Sequence, residues 1–225
     1  WQGRKSPNDR ERKILWLYSL KIISLSMSTP HAVIGESLHL LNLLFRYNLR
    51  KWQQSLAISA VPIRAFLWHG RFFPYCRKLL TFIEKLSADK ESECSLVNTI
   101  NLYCFLAGKW QDFQIYNKTV VQNALQQGKI MDAANYLIYN GLLFTEKGRY
   151  DDAMRIIDQL SGISNEFEHD LVRLYAIELR ATLLVKWRYF EKAQKIIADG
   201  VVFAKKMNAN AYLNYLYTLE AKVHL

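Results

Sequence analysis

The sequence predicts an all-α fold organised as a solenoid of stacked helix pairs. Four stretches align with one another, and each opens with an aromatic residue followed three positions later by a small or apolar one; they start at Phe73, Trp110, Tyr150 and Phe190. These aromatic residues are 37, 40 and 40 positions apart, and a constant period in this range is typical of helical repeats. Hydrophobic residues make up 51% of the chain, with only nine Gly and four Pro, too few turn formers for a β protein.

Residues 1–56 are expected to form less regular helices. Ser6-Pro7 and Thr29-Pro30 are suitable helix starts, because Ser or Thr caps the first turn and Pro fits within it. Pro62, further along, either kinks the third helix or starts a new one. These first helices are expected at about 7–26, at about 30–46 and from about 49 onward.

Residues 57–225 are expected to form about four helix pairs and a truncated fifth. The second helix of each pair has an apolar stripe at i, i+3, i+4 and i+7, the pattern of a helix buried on one side. The pairs are expected at about 62–70 with 73–87, 93–107 with 110–126, 130–147 with 150–161 and 168–186 with 190–206, followed by a helix from about 210. The stripes comprise Cys76, Leu79, Leu80 and Ile83; Phe113, Tyr116, Asn117 and Val120; Ala153, Ile156, Ile157 and Leu160; and Ala193, Ile196, Ile197 and Gly200.

Tight turns are expected inside the pairs. Three of them contain glycine, at 69–71, 107–109 and 147–149, and glycine readily adopts the left-handed conformation that ends a helix. The fourth, 186–188, has no glycine and is expected to be strained or differently shaped. Residues 88–92 and 161–165 carry turn and cap residues and are expected to separate successive pairs.

The third pair resembles a tetratricopeptide repeat. Its large, glycine, aromatic, turn-glycine, aromatic, alanine and large positions are occupied by Leu137, Gly141, Phe144, Gly148, Tyr150, Ala153 and Ile157. The resemblance implies a right-handed superhelix, although the period is nearer 40 residues than the 34 of that family. Longer repeats of this kind resemble those of multidomain signalling proteins, which implies an interaction scaffold or a sensor or regulatory region.

In such an array the first helix of each pair lines the concave face, which binds a partner segment. The candidate groove residues are Asn98, Leu102, Phe105, Asn135, Ile138, Leu142, Thr145, Tyr175, Glu178 and Thr182. Most are apolar or uncharged, which argues against capture of a C-terminal carboxylate and favours a helical or extended protein segment. Tyr217 and Ala221 occupy the repeat positions of Leu137 and Gly141, but the sequence ends at Leu225. We therefore expect a piece of a larger protein, or self-association through this uncovered helix.

The positive charge is concentrated near the N-terminus. Residues 1–90 hold 15 Lys or Arg and five Asp or Glu, whereas residues 91–225 hold 15 of each, and the net charge is +10. Such a surface suits an acidic protein or nucleic acid. Nucleic-acid binding is therefore the alternative function. The candidate basic surface comprises Arg46, Arg50, Lys51, Arg71, Arg77 and Lys78.

No motif in the sequence predicts catalysis. Gly108-Lys109 and Gly128-Lys129 lack the other residues of a phosphate-binding loop, and the five histidines are too scattered for a metal site. We expect no enzyme, no cofactor and no metal. Cys76, Cys94 and Cys104 cannot all pair and are expected to be reduced, buried thiols of a cytoplasmic protein. The apolar run from Ile14 is interrupted by Lys21, so no membrane span is expected.

Overall fold

The structure is a computed structural model that describes residues 5–49, 52, 55–68, 72–85, 93–114 and 116–224. The regular elements among these residues are all helical, which confirms the all-α fold class. The chain divides into two compact units, residues 1–114 and residues 115–225. The boundary that the sequence places after residue 56 separates irregular from repeating helices and stays a prediction.

The first unit packs around α3. Its described helices are α1 (Asp9–Ser28), α2 (Val33–Phe45), α3 (Ser55–Leu67), α4 (Phe73–Glu84) and α5 (Glu93–Leu106), with a 3₁₀ turn at Pro30–Ala32 before α2. Helix α3 contacts α1, α2, α4 and α5 and is buried over nearly its whole surface, as expected of a helix that is apolar all round. Pro62 lies inside this helix, so it does not start a new one.

The start of α1 differs from the prediction. Asn8, and not Ser6, caps the helix: its side chain accepts a hydrogen bond from the Glu11 backbone N–H, and the Glu11 carboxylate accepts one from the Asn8 N–H. This reciprocal pair satisfies two backbone donors that would otherwise have no partner.

The helix predicted over 110–126 is wrong in nearly its first half. Trp110 lies in a turn, and α6 begins only at Lys118 and ends at Gln126. Asn117 caps α6, with its side chain accepting a hydrogen bond from the Thr119 N–H. The stripe predicted from Phe113, Tyr116, Asn117 and Val120 is therefore not a helix face, because Asn prefers the capping position to a helix interior.

The second unit has a regular twenty-residue spacing. After α6 come α7 (Ile130–Glu146), α8 (Tyr150–Glu166), α9 (Asp170–Lys186), α10 (Phe190–Lys206) and α11 (Asn210–Val223). The first four of these contain 17 residues each, so each 40-residue period comprises two equal halves. The separation predicted at 161–165 is wrong, because these residues belong to the last turns of α8.

The joints between these helices have one geometry. A left-handed residue ends each helix, and the next residue donates its N–H to the carbonyl five positions back, as in the Schellman motif. In the second unit these N–H groups belong to Lys129, Arg149, His169, Tyr189 and Ala209, at 2.8 to 3.0 Å from their acceptors. The left-handed residues are Gly128 (φ 69), Gly148 (φ 69), Glu168 (φ 48), Arg188 (φ 59) and Asn208 (φ 54). The turn at 186–188 therefore keeps the common shape, and the strain predicted there falls on Arg188.

Helix α9 is the centre of the second unit. It contacts α8 and α10, its neighbours in sequence, and also α7 and α11. Close approach depends on Gly141 of α7, where a Cβ atom would overlap Leu179 Cδ2 of α9 and would lie 3.1 Å from Ile156 Cγ2 of α8. Helices α7, α9 and α11 therefore lie side by side, which brings equivalent positions of successive pairs close together.

We expect Gly141→Ala to destabilise the protein by about 1–3 kcal/mol, because the new methyl group overpacks the contact with Leu179. Gly162→Ala is the matched control. Gly162 lies in α8 with no atom within 4 Å of an added Cβ, so this change is expected to stabilise by about 0.5–1 kcal/mol. Urea denaturation measures the free energy of unfolding of both variants. Equal effects of the same sign would contradict the close approach of α7 to α9.

The joints provide a second test. Arg188→Gly is expected to raise the free energy of unfolding by about 0.5–1 kcal/mol, because glycine adopts positive φ without the steric cost that arginine bears. Gly148→Ala, at the equivalent joint, is expected to lower it by about 1 kcal/mol or more. Thermal unfolding measures both, and a destabilised Arg188→Gly variant would argue against a left-handed residue 188.

Candidate functional site

The structure buries most of the groove residues that the sequence nominates. In the first unit, Asn98 and Leu102 on α5 are fully covered and Phe105 is half-buried. In the second unit the positions on α7 and α9 range from buried to half-buried. The buried ones are Ile138, Thr145, Tyr175 and Thr182, and the half-buried ones are Asn135, Leu142 and Glu178.

A row of hydrogen-bonded polar side chains crosses α7, α9 and α11. The Tyr175 hydroxyl of α9 donates to Asn135 Oδ1 of α7 at 2.9 Å. On the other side of α9, the Tyr212 hydroxyl of α11 is hydrogen-bonded to Tyr175, and the two rings lie 5.8 Å apart. Asn135 and Tyr175, two of the nominated residues, thus join Tyr212 in one hydrogen-bonded row across the three helices.

Two further contacts connect α9 to α11 and to α7. Thr182 donates to the Glu178 backbone carbonyl at 2.8 Å, and its hydroxyl oxygen lies 3.0 Å from the Tyr215 hydroxyl. Lys186 of α9 pairs with Glu146 of α7 at 2.8 Å. We call the surface formed by these side chains the tyrosine face, and it comprises Asn135, Tyr139, Glu146, Tyr175, Glu178, Thr182, Lys186, Tyr212 and Tyr215.

In the described part of the chain, Glu178 is the unpaired carboxyl group of the tyrosine face. Among the described residues, no cation lies within salt-bridge distance of its carboxyl group and no donor is hydrogen-bonded to it. Burial raises the pKa of Glu178 to about 8. Burial also raises the pKa of Tyr215 to about 12, with a contribution from the charge of Glu178, and raises the pKa of Tyr212 in the same way. The phenols therefore remain neutral throughout the range in which Glu178 titrates.

Sequence reasoning found part of this surface and missed the rest. It nominated Asn135, Tyr175, Glu178 and Thr182 but not the tyrosines of α11 or the Glu146–Lys186 pair. The 40-residue spacing could have found some of them, since 135, 175 and 215 are equivalent positions, as are 146 and 186. The missed residues are Tyr139, Glu146, Lys186, Tyr212 and Tyr215.

The opposite side of α9 holds a cleft of about 180 Å³. Its two arginines already have neighbours: the Arg173 guanidinium lies 4.8 Å from the centre of the Phe203 ring, and Arg180 lies 3.7 Å from the Asp158 carboxylate. The cleft is lined by Ser161, Ser164, Asn165, Arg173, Ala176, Ile177, Arg180 and Ile196. Arg173 and Arg180 therefore lie on the side of α9 away from Glu178.

The first unit presents part of the predicted basic surface. Arg46 at the end of α2 is exposed, as are Arg77 and Lys78 on α4. A contact between the rings of Phe45 and Phe82, with centroids 5.7 Å apart, joins α2 to α4. Arg50, Lys51 and Arg71 lie outside the described residues. Exposed apolar side chains also cover one side of α1, and they are Ile14, Trp16, Leu17, Leu20 and Ile23.

The cysteines are free and buried, as the sequence predicts. Burial raises the pKa of the Cys76 thiol to about 11 and also raises that of Cys104. Because the thiolate is the reactive form, these thiols have little reactivity at neutral pH. Within the described ranges, no three His, Cys, Asp or Glu side chains gather in a metal-sized cluster.

Comparison with protein-family models, curated proteins and solved structures finds no match to this chain. The fold defines the protein as an all-helical chain with helix pairs of 40 residues in its second unit. In the part of the chain that the structure describes, every helix is too short or too polar to cross a bilayer.

We expect Glu178→Gln to remove a pH dependence of stability. The pKa of native Glu178 is about 8, whereas an unfolded Glu titrates at about 4.3, so between these values the native state holds a proton that the unfolded state has lost. The contribution of Glu178 to the free energy of unfolding is therefore fully present below about pH 4.3 and is lost as the pH rises to about 8.

The Glu178→Gln variant lacks this pH-dependent contribution to the free energy of unfolding. The pKa difference corresponds to an advantage over the wild type of up to about 5 kcal/mol at pH 8, and this advantage falls close to zero at pH 4. Urea denaturation at pH 4, 6 and 8 measures it, with Glu191→Gln as the control because Glu191 is exposed on α10. Parallel pH profiles for the wild type and Glu178→Gln would show that Glu178 is not buried as described.

Proposed function

We propose that the protein is an interaction scaffold, or a sensor or regulatory region, within a larger intracellular signalling protein. The tyrosine face binds a segment of a partner protein, and the helix pairs of the second unit belong to a right-handed superhelical array of the tetratricopeptide type. No catalytic step, cofactor or metal forms part of the proposal. Its basis is the row of polar and aromatic side chains that crosses three adjacent helices.

The composition of the tyrosine face supports this assignment. Tyrosine is enriched at protein interfaces because its ring supplies apolar area at a low entropic cost and its hydroxyl forms a hydrogen bond. Hydrogen bonds between helices join Tyr175 of α9 to Asn135 of α7 and Thr182 of α9 to Tyr215 of α11. A surface held in this way changes little on binding, so less free energy is spent on ordering it.

The twofold role of α9 also supports the proposal. The helix is packed on α8 and α10 through one side and carries Tyr175, Glu178 and Thr182 on another. Half-buried Leu142 of α7 lies one turn from both Tyr139 and Glu146 and adds an apolar side chain to the same side of the helix. A partner segment would contact the half-buried side chains, and the buried Tyr175 and Thr182 would hold them in place. The half-buried residues offer both polar and apolar groups, which suits an extended or helical peptide, and they are Asn135, Leu142, Glu178, Tyr212 and Tyr215.

The proposal predicts that peptides selected for binding depend on Leu142. Random dodecapeptides displayed on phage are selected on the full 225-residue chain, and their affinities are measured for two variants. Leu142→Arg is expected to weaken binding about tenfold or more, since it introduces a charge at the edge of the contact. Val202→Arg introduces the same charge on α10, where the wild-type side chain is 70% exposed, and is expected to have little effect.

Three outcomes contradict the proposal: no peptide is selected, both variants bind like the wild type, or both lose affinity equally. A different result favours the alternative. The basic first unit, with exposed Arg77 and Lys78 on α4, would bind single-stranded RNA with an affinity that falls steeply as salt increases. Loss of that binding in Arg77→Gln/Lys78→Gln would assign the function to nucleic acid.

A further inference from the structure

We propose that Glu178 is the receptor for an arginine side chain of the partner segment. This inference rests on the proposed docking function of the tyrosine face and adds the chemistry of the bound residue. The guanidinium group would form an ion pair with the Glu178 carboxylate and pack against the neighbouring tyrosine rings.

The first argument is the unmatched carboxyl group. Glu178 is half-buried on α9, and a buried charge without a partner is costly. The nearby pair of Glu146 and Lys186 already balances its own charges at 2.8 Å. Because Arg173 and Arg180 line the cleft on the other side of α9, neither is available to neutralise Glu178. A cation supplied by the partner would give the ionised carboxylate the partner that it lacks within the described residues.

The second argument is the aromatic surrounding. Tyr212 and Tyr215 of α11 both interact electrostatically with Glu178, and Tyr175 lies one turn earlier on α9. The Tyr175 hydroxyl is bonded to Asn135 and the Tyr215 hydroxyl lies at hydrogen-bond distance from Thr182, so these phenols are held in place. Cations are attracted to the faces of such rings. A planar guanidinium stacks on a ring and forms two hydrogen bonds to a carboxylate, whereas an ammonium group cannot do both.

Binding of the cation is coupled to a proton. Because the pKa of free Glu178 is about 8, about nine-tenths of the carboxyl groups carry a proton at pH 7. When the guanidinium cation arrives, the carboxylic O–H bond breaks, the electron pair stays on oxygen, and the proton passes to the solvent. The complex then holds a carboxylate and a guanidinium, and about 0.9 proton is released per site.

The other titratable groups of the tyrosine face do not obscure the proton release from Glu178. From α7 they are Tyr139 and Glu146, from α9 Tyr175 and Lys186, and from α11 Tyr212, Tyr215 and Lys222. The pKa values of Tyr212 and Tyr215 are raised further above neutrality, and Glu146 is paired with Lys186. Lys222 lies two turns beyond Tyr215 on α11 and is exposed. Glu178 is therefore the group whose ionisation changes near pH 7.

The test selects the same library of random dodecapeptides in parallel on the wild-type chain and on Glu178→Gln. Peptides from the wild type are expected to share an arginine that peptides from the variant lack. Replacing that arginine by citrulline, a neutral group of similar shape, is expected to weaken wild-type binding about tenfold or more and to leave binding to Glu178→Gln unchanged. Glu191→Gln serves as a control that changes the net charge without changing the face.

Calorimetry at pH 7 in buffers of different ionisation enthalpy then counts protons. Release of about 0.9 proton by the wild type and none by Glu178→Gln is expected. Peptides that depend on Leu142 but share no arginine, or that release no proton, overturn the inference and leave the proposed function standing. A shared lysine assigns an ammonium group and overturns the choice of guanidinium. If no peptide binds the tyrosine face, the proposed function fails as well.

Discussion

The register of the second unit depends on one constraint, the equal length of its helices and joints. Four successive helices contain 17 residues each, and each is followed by a three-residue joint with the same hydrogen bond from the residue after the left-handed position. Residues 40 positions apart therefore occupy equivalent places on neighbouring parallel helices. This register is what brings Asn135 opposite Tyr175 and Glu146 opposite Lys186.

Two kinds of contact hold α7, α9 and α11 together. Small residues permit close approach, as Gly141 does beneath Leu179, and apolar side chains such as Leu174, Leu216 and Leu219 form a buried cluster between α9, α10 and α11. Hydrogen bonds between side chains then fix the polar side of the same layer. Apolar burial supplies most of the stability, whereas the polar row selects one register, because a shift along a helix would break several hydrogen bonds at once.

The sequence predicts the helices of the second unit well because its signals there are local. Glycine at 148 marks a joint, and the apolar stripe from Ala153 to Leu160 marks a buried helix face. The prediction was wrong where two local signals competed. Ser161 to Asn165 look like a loop, but Ile163 and Ser164 are buried, so packing extends α8 through them. Asn117 fits a stripe by spacing, yet its side chain caps α6.

The sequence predicts the candidate site less completely than it predicts the helices. Periodicity placed Asn135, Tyr175, Glu178 and Thr182 on one side of their helices. The 40-residue spacing also relates Tyr215 to Tyr175, but it could not show that Tyr212 belongs to the same surface. The missing partner of Glu178 is a property of three helices packed together and has no signature in any one of them. The raised pKa of that carboxyl group follows from burial, which spacing alone does not measure.

The common joint geometry has a consequence for how such a chain tolerates changes in length. An α-helix turns by about 100° per residue, so one inserted residue within α9 would rotate Tyr175 away from Thr182 and separate the two halves of the face. Removal of residues 150–189 would instead join Arg149 to Phe190, which follow equivalent joints. The array would become one hairpin shorter with its phase preserved. Related chains of different length should therefore differ by multiples of 40 residues.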